Sequence, residues 1–288
     1  MNRLLCDGPR KLNLPPNCDR FVQWGFADHS LRFFSSNTKR PLGLYENAHV
    51  GAVTSALFAD RKTLITAGAD CTIGVWSVHP SRDVIDLHPK VYLFGHRSKI
   101  TGLTASRVFS TLVSTSDDGQ ILLWGLNRLN CIRTLHRAGD PTVQAVAISD
   151  VSGHIALCQG PYILLYTLNG HLLLRQKVCD SVDDEMTCCS FYSGAGNEWL
   201  ERELLFTGHA RGVANVWALT TLSDGGWHLS LVKRLNHVDA NREDGGNTFA
   251  AVTAILPTAQ AVYTGDESGK VWEWDCIQRQ GSLSVRVR

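Results

Sequence analysis

"TGLTASRVFSTLVSTSDDGQILLWGL" runs from Thr101 to Leu126. It joins a tight Ser116-Asp117-Asp118-Gly119 turn to an apolar strand that ends on Trp124. One such unit would mean little; recurrence at a fixed distance defines an architecture. Aligned on the closing aromatic, the chain repeats the unit six times. "DHSLRFF" ends at Phe34, "DCTIGVW" at Trp76, "DGQILLW" at Trp124, "PYILLY" at Tyr166, "RGVANVW" at Trp217 and "SGKVWEW" at Trp274. The gaps are 42, 48, 42, 51 and 57 residues. Three positions before each aromatic stands an apolar or small residue: Leu31, Ile73, Ile121, Ile163, Ala214 and Val271. Odd spacing on a strand places the two on opposite faces, so both faces of each strand are expected to be covered.

The upstream parts repeat as well. Asp28, Asp70 and Asp118 stand six residues before their aromatics, and a hydroxyl lies four before that turn position at Thr66, Ser114, Thr207 and Thr264. Farther upstream, four units begin near a histidine: His49, His96, His136 and His237. A short apolar strand such as "VTSALF" or "ITGLTA" follows. The unit therefore reads as four short strands with polar turns, about 40–45 residues before insertions, which is a propeller blade. The expected fold is all-β: one propeller over residues 1–288 with six recognisable blades, residues 1–20 being a lead-in or partial first blade. The spacing also predicts a buried relay in which the turn carboxylate meets the loop histidine, the strand hydroxyl meets that histidine, and the indole N–H completes the chain. Such a relay is stable only when each member has a partner. His49, Thr66, Asp70 and Trp76 form one full set, and His96, Ser114, Asp118 and Trp124 another. In the fourth and fifth units Tyr166 replaces tryptophan and Arg211 replaces aspartate, so incomplete relays are expected there.

Composition narrows the function classes. The 288 residues carry a formal net charge of +1, which argues against the dense basic face that nucleic acid requires. No stretch approaches the roughly 18 apolar residues of a membrane helix, and the N-terminus lacks a signal-peptide apolar core. Nine scattered cysteines and the absence of an N-x-[ST] sequon fit a reduced cytosolic compartment.

The units resemble WD repeats, although only Trp274-Asp275 gives the literal dipeptide. The resemblance extends to the C-terminal propeller of BEACH-domain proteins, the beige and neurobeachin family. It is carried by "VQWGFADHSLRFF", "LITAGADCTIGVW", "GHRSKITGLTASRVFSTLVSTSDDGQILLW" and "QAVAISDVSGHIALCQGPYILLYTLNGHLL", and most tellingly by "LYTLNGHLL". That family carries a PH-like module and the BEACH domain ahead of its propeller, and neither is within these residues. The resemblance thus implies the tail of such a protein, or a chain that starts inside the propeller; either the six blades close the ring or a seventh lies upstream. The C-terminal "LSVRVR" is expected to complete the last blade.

No catalytic, cofactor or metal residues are expected. "TGDESGKV" (Thr264 to Val271) has three residues between Gly265 and Gly269 where a phosphate loop has four, and Val271 replaces the magnesium-binding hydroxyl. Cys188 and Cys189 would face opposite sides of a strand and cannot share a metal. "NEWLERE" (Asn197 to Glu203) is too short for an independent helix. Candidate partner-binding positions are charged loop residues. "CDSVDDEM" and "NHVDANREDGGNTF" bring Asp183, Asp184, Glu185, Asp239, Glu243 and Asp244 to one rim, where they would steer a basic partner segment. Arg97, Lys99 and Asp117 form a second group.

The resemblance implies a non-enzymatic protein–protein interaction platform in vesicle trafficking or protein sorting. It would be cytoplasmic and reach membranes only through partners or an upstream domain. The alternative is a substrate receptor of a ubiquitin ligase. Receptors of that type carry an arginine three residues after the closing tryptophan, and here Asn127 stands there with Arg128 one place late.

Overall fold

The computed structural model describes residues 11–13, 20–81, 84–179, 184–192, 203–223, 225–237, 250–258, 261–275 and 284–287. Every regular element among these is a strand, and the strands form six four-stranded antiparallel sheets. Contacts divide the chain into two compact units, Met1–Thr142 and Val143–Arg288, each holding three sheets.

In the first unit, blade 1 is β1 (Lys11–Asn13), β2 (Arg20–Trp24), β3 (Leu31–Ser35) and β4 (Pro41–Tyr45). Blade 2 is β5 (Val53–Asp60), β6 (Thr63–Gly68), β7 (Thr72–Pro80) and β8 (Ile85–Phe94). Blade 3 is β9 (Ile100–Ser106), β10 (Thr111–Ser116), β11 (Ile121–Gly125) and β12 (Asn130–His136). In the second unit, blade 4 is β13 (Ala145–Ile148), β14 (Ile155–Gln159), β15 (Tyr162–Tyr166) and β16 (Leu172–Lys177). Blade 5 is β17 (Met186–Tyr192), β18 (Leu204–His209), β19 (Val213–Thr221) and β20 (Trp227–Asn236). Blade 6 is β21 (Val252–Pro257), β22 (Ala261–Asp266), β23 (Val271–Asp275) and β24 (Ser284–Val287). Strands pair in chain order within every sheet, so each blade is a meander built from local hairpins. The C-terminal segment read as blade completion is β24, paired with β23.

Alternation along the second and third strands explains why both of their faces are apolar. Leu64 of β6 packs with Trp24, Phe33, Val53 and Trp76. Its neighbour Ile65 turns the other way, into Ile73, Ile100, Leu112 and Trp124. In the second unit Leu205 packs with Ala156, Ile163, Met186 and Trp217. Leu204 and Phe206 turn instead toward Val216, Val262 and Trp274. Apolar side chains thereby pack each blade against its sequence neighbours within a unit, and polar contacts such as Trp24 Nε1–H to the Thr54 carbonyl and Gln176 to the Leu229 backbone add to them.

Two sequence expectations change. Phe33, 1% exposed, is the core aromatic of blade 1, while Phe34 is half-buried and stacks on Phe21 at 5.5 Å. Alternation admits only one of the two adjacent rings to the core. Val271 is 54% exposed although its equivalents are buried. It is the first residue of β23, opposite Gly265, which has no side chain to cover it.

Candidate functional site

In blades 2, 3, 5 and 6 the loop ahead of the blade is held by a polar chain that starts on the second strand. In blade 2, Thr66 pairs across the hairpin with Gly74, so Trp76 is its same-face diagonal neighbour on β7. The Trp76 indole donates Nε1–H to Thr66 Oγ1 at 2.8 Å. The threonine has one proton of its own, and it goes to His49 Nε2, also at 2.8 Å. That leaves Nδ1 as the protonated ring nitrogen, 3.0 Å from Asp70 Oδ1. Asp70 ties the turn to the loop through its second oxygen, which accepts Val50 N–H at 2.9 Å. Cys71 follows in the left-handed region at φ 65°, and Thr72 N–H and O–H donate to Asp70 Oδ1. Burial pushes the His49 pKa below its ordinary value, with Asp70 opposing the shift in part. Burial raises the Asp70 carboxyl, but His49 and the donors from Val50 and Thr72 outweigh it and hold the group low. The result is a neutral imidazole on an ionised acid.

Blade 3 has a shorter chain than its sequence promised. His96 Nε2 and Ser114 Oγ are 2.6 Å apart, and Trp124 Nε1 donates to the same oxygen at 2.8 Å. His96 Nδ1 makes no hydrogen bond, and Asp118 is engaged by Ser116 Oγ at 2.5 Å and Gln120 N–H at 3.1 Å. The cause is legible at one position. Blade 2 has Gly68 two residues after its hydroxyl, leaving room for the histidine–carboxylate contact, whereas blade 3 has Ser116, whose hydroxyl takes the acid.

In blade 6, His237 Nε2 and Trp274 Nε1 meet Thr264 Oγ1 at 2.8 and 2.7 Å. Asp266 accepts Trp272 Nε1–H at 3.1 Å, and the ring of His237 stacks on Trp272. The same aspartate receives Ser268 N–H and Lys270 N–H, so the amides of the phosphate-loop-like turn are taken by the chain's own carboxylate. Blade 4 has Ala156 ten residues before Tyr166. His136, expected to serve that blade, is the last residue of β12, and the hydroxyl it would need is missing.

Blade 5 exchanges the parts. Trp217 Nε1 donates to Thr207 Oγ1 at 2.9 Å, but the histidine is His209, from the strand itself, with Nε2 3.0 Å from Thr207 Oγ1. The carboxylate comes from the loop: Asp184 Oδ2 lies 3.4 Å from His209 Nδ1. Histidine replaces glycine on the strand, and acid replaces histidine in the loop. Sequence reading missed this because it sought the histidine upstream of the strand; His209 and Arg211 at the positions of Gly68 and Asp70 were the available signal.

Among the candidate rim residues, Arg97, Lys99 and Asp117 are exposed and close in space. Ser98 O–H donates to Asp117 Oδ1, and Asp117 N–H donates to the Lys99 carbonyl at 3.0 Å. Glu185 is exposed. Asp184 is not part of a free acidic rim, because its carboxylate is turned inward onto His209. Asp183, Asp239, Glu243 and Asp244 lie outside the described residues, as does "NEWLERE" except Glu203, which accepts from Ser152 O–H at 2.7 Å and pairs with His154. Burial pushes the Cys188 thiol up to about 12.

The WD domain, G-beta repeat profile matches residues 40–77 and 88–125. Over 279 residues, 91% of the chain, the sequence is 28% identical to "Beige protein homolog 1" of Schizosaccharomyces pombe, covering 10% of that protein. It is 28% identical over 227 residues to "BEACH domain-containing protein A2" of Arabidopsis thaliana, covering 77% of this chain and 6% of the relative. Against the human "Lysosomal-trafficking regulator" identity is 26% over 273 residues, 91% of this chain and 7% of the relative. The chain therefore spans a tenth or less of these relatives' length. The crystal structure of RRP9 WD40 repeats superposes with a TM-score of 0.71 over 96% of this chain and 78% of that one, at 18% identity, which establishes the fold alone.

Proposed function

We propose that this chain, which belongs to the WD-repeat propellers of the beige and BEACH-domain proteins, is a non-enzymatic platform for protein–protein interaction in vesicle trafficking and protein sorting. The observation that carries the reading is alignment with those relatives over nine-tenths of the chain. The geometry favours it. The buried histidines are neutral and committed to hydroxyls in the core, and the Cys188 thiol is held protonated, so neither group is poised as a base or nucleophile. What varies is the exposed loop set that the polar chains anchor, which is where a rigid scaffold presents its contacts. Among the described residues no helix is long and apolar enough to cross a membrane. We propose a cytoplasmic chain that reaches membrane surfaces through partners.

Affinity capture from cell extract tests the reading. The expected partners are trafficking or autophagy proteins; recovery of ubiquitin-ligase adaptors in their place would favour the substrate-receptor alternative and overturn ours. Reversing charge at Arg97 and Lys99, or neutralising Asp183 and Glu185, is expected to weaken capture more at low salt than at high salt. Unchanged capture at both salts would reduce those loops to solvated surface.

A further inference from the structure

We propose that Cys179, Asp184 and His209 of the second unit form a binding site for one divalent transition-metal ion, zinc by preference. The sulfur, carboxylate oxygen and ring nitrogen lie within 4.8 Å of one another. Both measured edges share His209 Nδ1: Cys179 Sγ is 3.6 Å from it and Asp184 Oδ2 is 3.4 Å. A tetrahedral zinc with Zn–S of about 2.3 Å and Zn–N and Zn–O of about 2.0–2.2 Å sets edges of about 3.6 Å for S···N and about 3.4 Å for N···O. The distances are those of ligands around an ion. They are longer than the direct His49–Asp70 contact of 3.0 Å in blade 2.

Hydrogen bonding links Cys179 and Asp184 to His209 but leaves this cluster incompletely satisfied. His209 Nδ1 carries at most one proton, yet it faces both an acid and a thiol. Asp184 Oδ1 is buried without a hydrogen-bond partner. A cation at the centre engages all three groups. Thiolate and carboxylate bring two negative charges to a divalent ion, so the set is neutral where it is enclosed. Cys179 and His209 are 3% and 0% exposed, and Asp184 is the outer ligand, leaving a fourth position for water.

The ligands are positioned in advance. Cys179 N–H donates to the Pro161 carbonyl at 3.3 Å, and Ala210 N–H donates to the Glu185 carbonyl at 2.9 Å, fixing the chain on both sides of the loop. On binding, the Cys179 thiol proton leaves to solvent. The imidazole proton resides on Nε2, 3.0 Å from Thr207 Oγ1, the outer partner that fixes a ligating histidine. Asn215, whose Nδ2 lies 3.0 Å from Nε2 and whose Oδ1 accepts Arg234 Nε–H at 3.3 Å, must turn its carboxamide oxygen to that proton and release Arg234. Blade 5 is the blade whose relay parts are exchanged, and the exchange is what places a strand histidine beside the loop cysteine. Sequence spacing hid the site because the loop ligands Cys179 and Asp184 lie 30 and 25 residues before the strand histidine, outside any C-x-x-C or H-x-x-x-H pattern.

The test titrates chelator-stripped chain, verified as folded by circular dichroism, with cobalt(II) and then zinc(II). One equivalent of cobalt should give a thiolate-to-metal charge-transfer band and tetrahedral d–d bands, both displaced by zinc. Cys179→Ser should abolish the charge-transfer band. Asp184→Asn should weaken cobalt affinity by more than the roughly 10–100-fold that losing an outer partner costs. X-ray absorption on the zinc-loaded unmodified chain covers the case in which a variant does not fold: one sulfur with two or three nitrogen or oxygen neighbours is expected. No thiolate band in the folded chain, a band that survives Cys179→Ser, or a zinc shell with no sulfur or with several sulfurs would each overturn the site.

Discussion

Thr66→Val is the substitution that most directly probes the blade 2 relay. Valine matches threonine in shape and suits a strand, so the change exchanges the hydroxyl for a methyl and leaves the rest of the side chain as it was. Thr66 and Trp76 are fully buried and His49 is 3% exposed, so neither the indole N–H nor imidazole Nε2 can turn to water. Two buried polar groups lose their partner at once, at about 1–3 kcal/mol each, giving a loss of about 2–6 kcal/mol. Thr66→Ser makes the opposite deletion, keeping the oxygen and removing one methyl, for about 1 kcal/mol. Urea unfolding of both variants beside the parent decides between them. With a slope of about 3 kcal/mol/M, the valine variant should lose about 0.7–2 M in midpoint and the serine variant about 0.3 M. A serine variant as damaged as the valine variant, at unchanged slope, would mean that packing holds this blade and the hydroxyl is incidental.

Acid should destabilise the fold well above the range where its carboxylates titrate. Burial lowers the pKa of His49, His96, His209 and His237, so the unfolded chain binds protons that the folded chain refuses. Stability is full above the ordinary histidine value of about 6.5 and falls as pH drops through the lowered folded values, by up to about 1.4 kcal/mol per pH unit for each such proton. The lowered carboxyls of Asp70 and Asp118 extend the loss to still lower pH. Urea midpoints at pH 8, 7, 6 and 5 check this, and a midpoint that holds or rises between pH 7 and 5 contradicts it. Gly68→Ala should destabilise more than an ordinary strand glycine substitution, because a Cβ there would stand 2.5 Å from His49 Nδ1 and crowd Asp70 as well. The imidazole signals of His49, read by NMR at neutral pH, should shift with the loss, and unmoved signals would show that the loop is held elsewhere.

The fixed ten-residue interval from hydroxyl to tryptophan shows which parts of this molecule a sequence can carry. Thr66 opposes Gly74, Ser114 opposes Leu122, Thr207 opposes Asn215 and Thr264 opposes Trp272. In each hairpin the tryptophan lies two residues beyond, on the same face, so register alone brings indole to hydroxyl. A relation set inside one hairpin must repeat in sequence wherever the hairpin repeats, and it did so in four blades out of six. The histidine and the acid obey no such rule, since they reach the hydroxyl or the imidazole from a loop, from a turn or, in blade 5, from the strand itself. Blade 2 draws its histidine from 17 residues before the hydroxyl, and blade 6 draws its own from 27 before. Blade 5 has it two residues after, on the strand. What the core requires at that point is an imidazole nitrogen against a buried hydroxyl, and three different chain paths deliver it. Chemistry is therefore kept while its source moves, which is why the blades were legible from spacing and the grouping of Cys179, Asp184 and His209 was not.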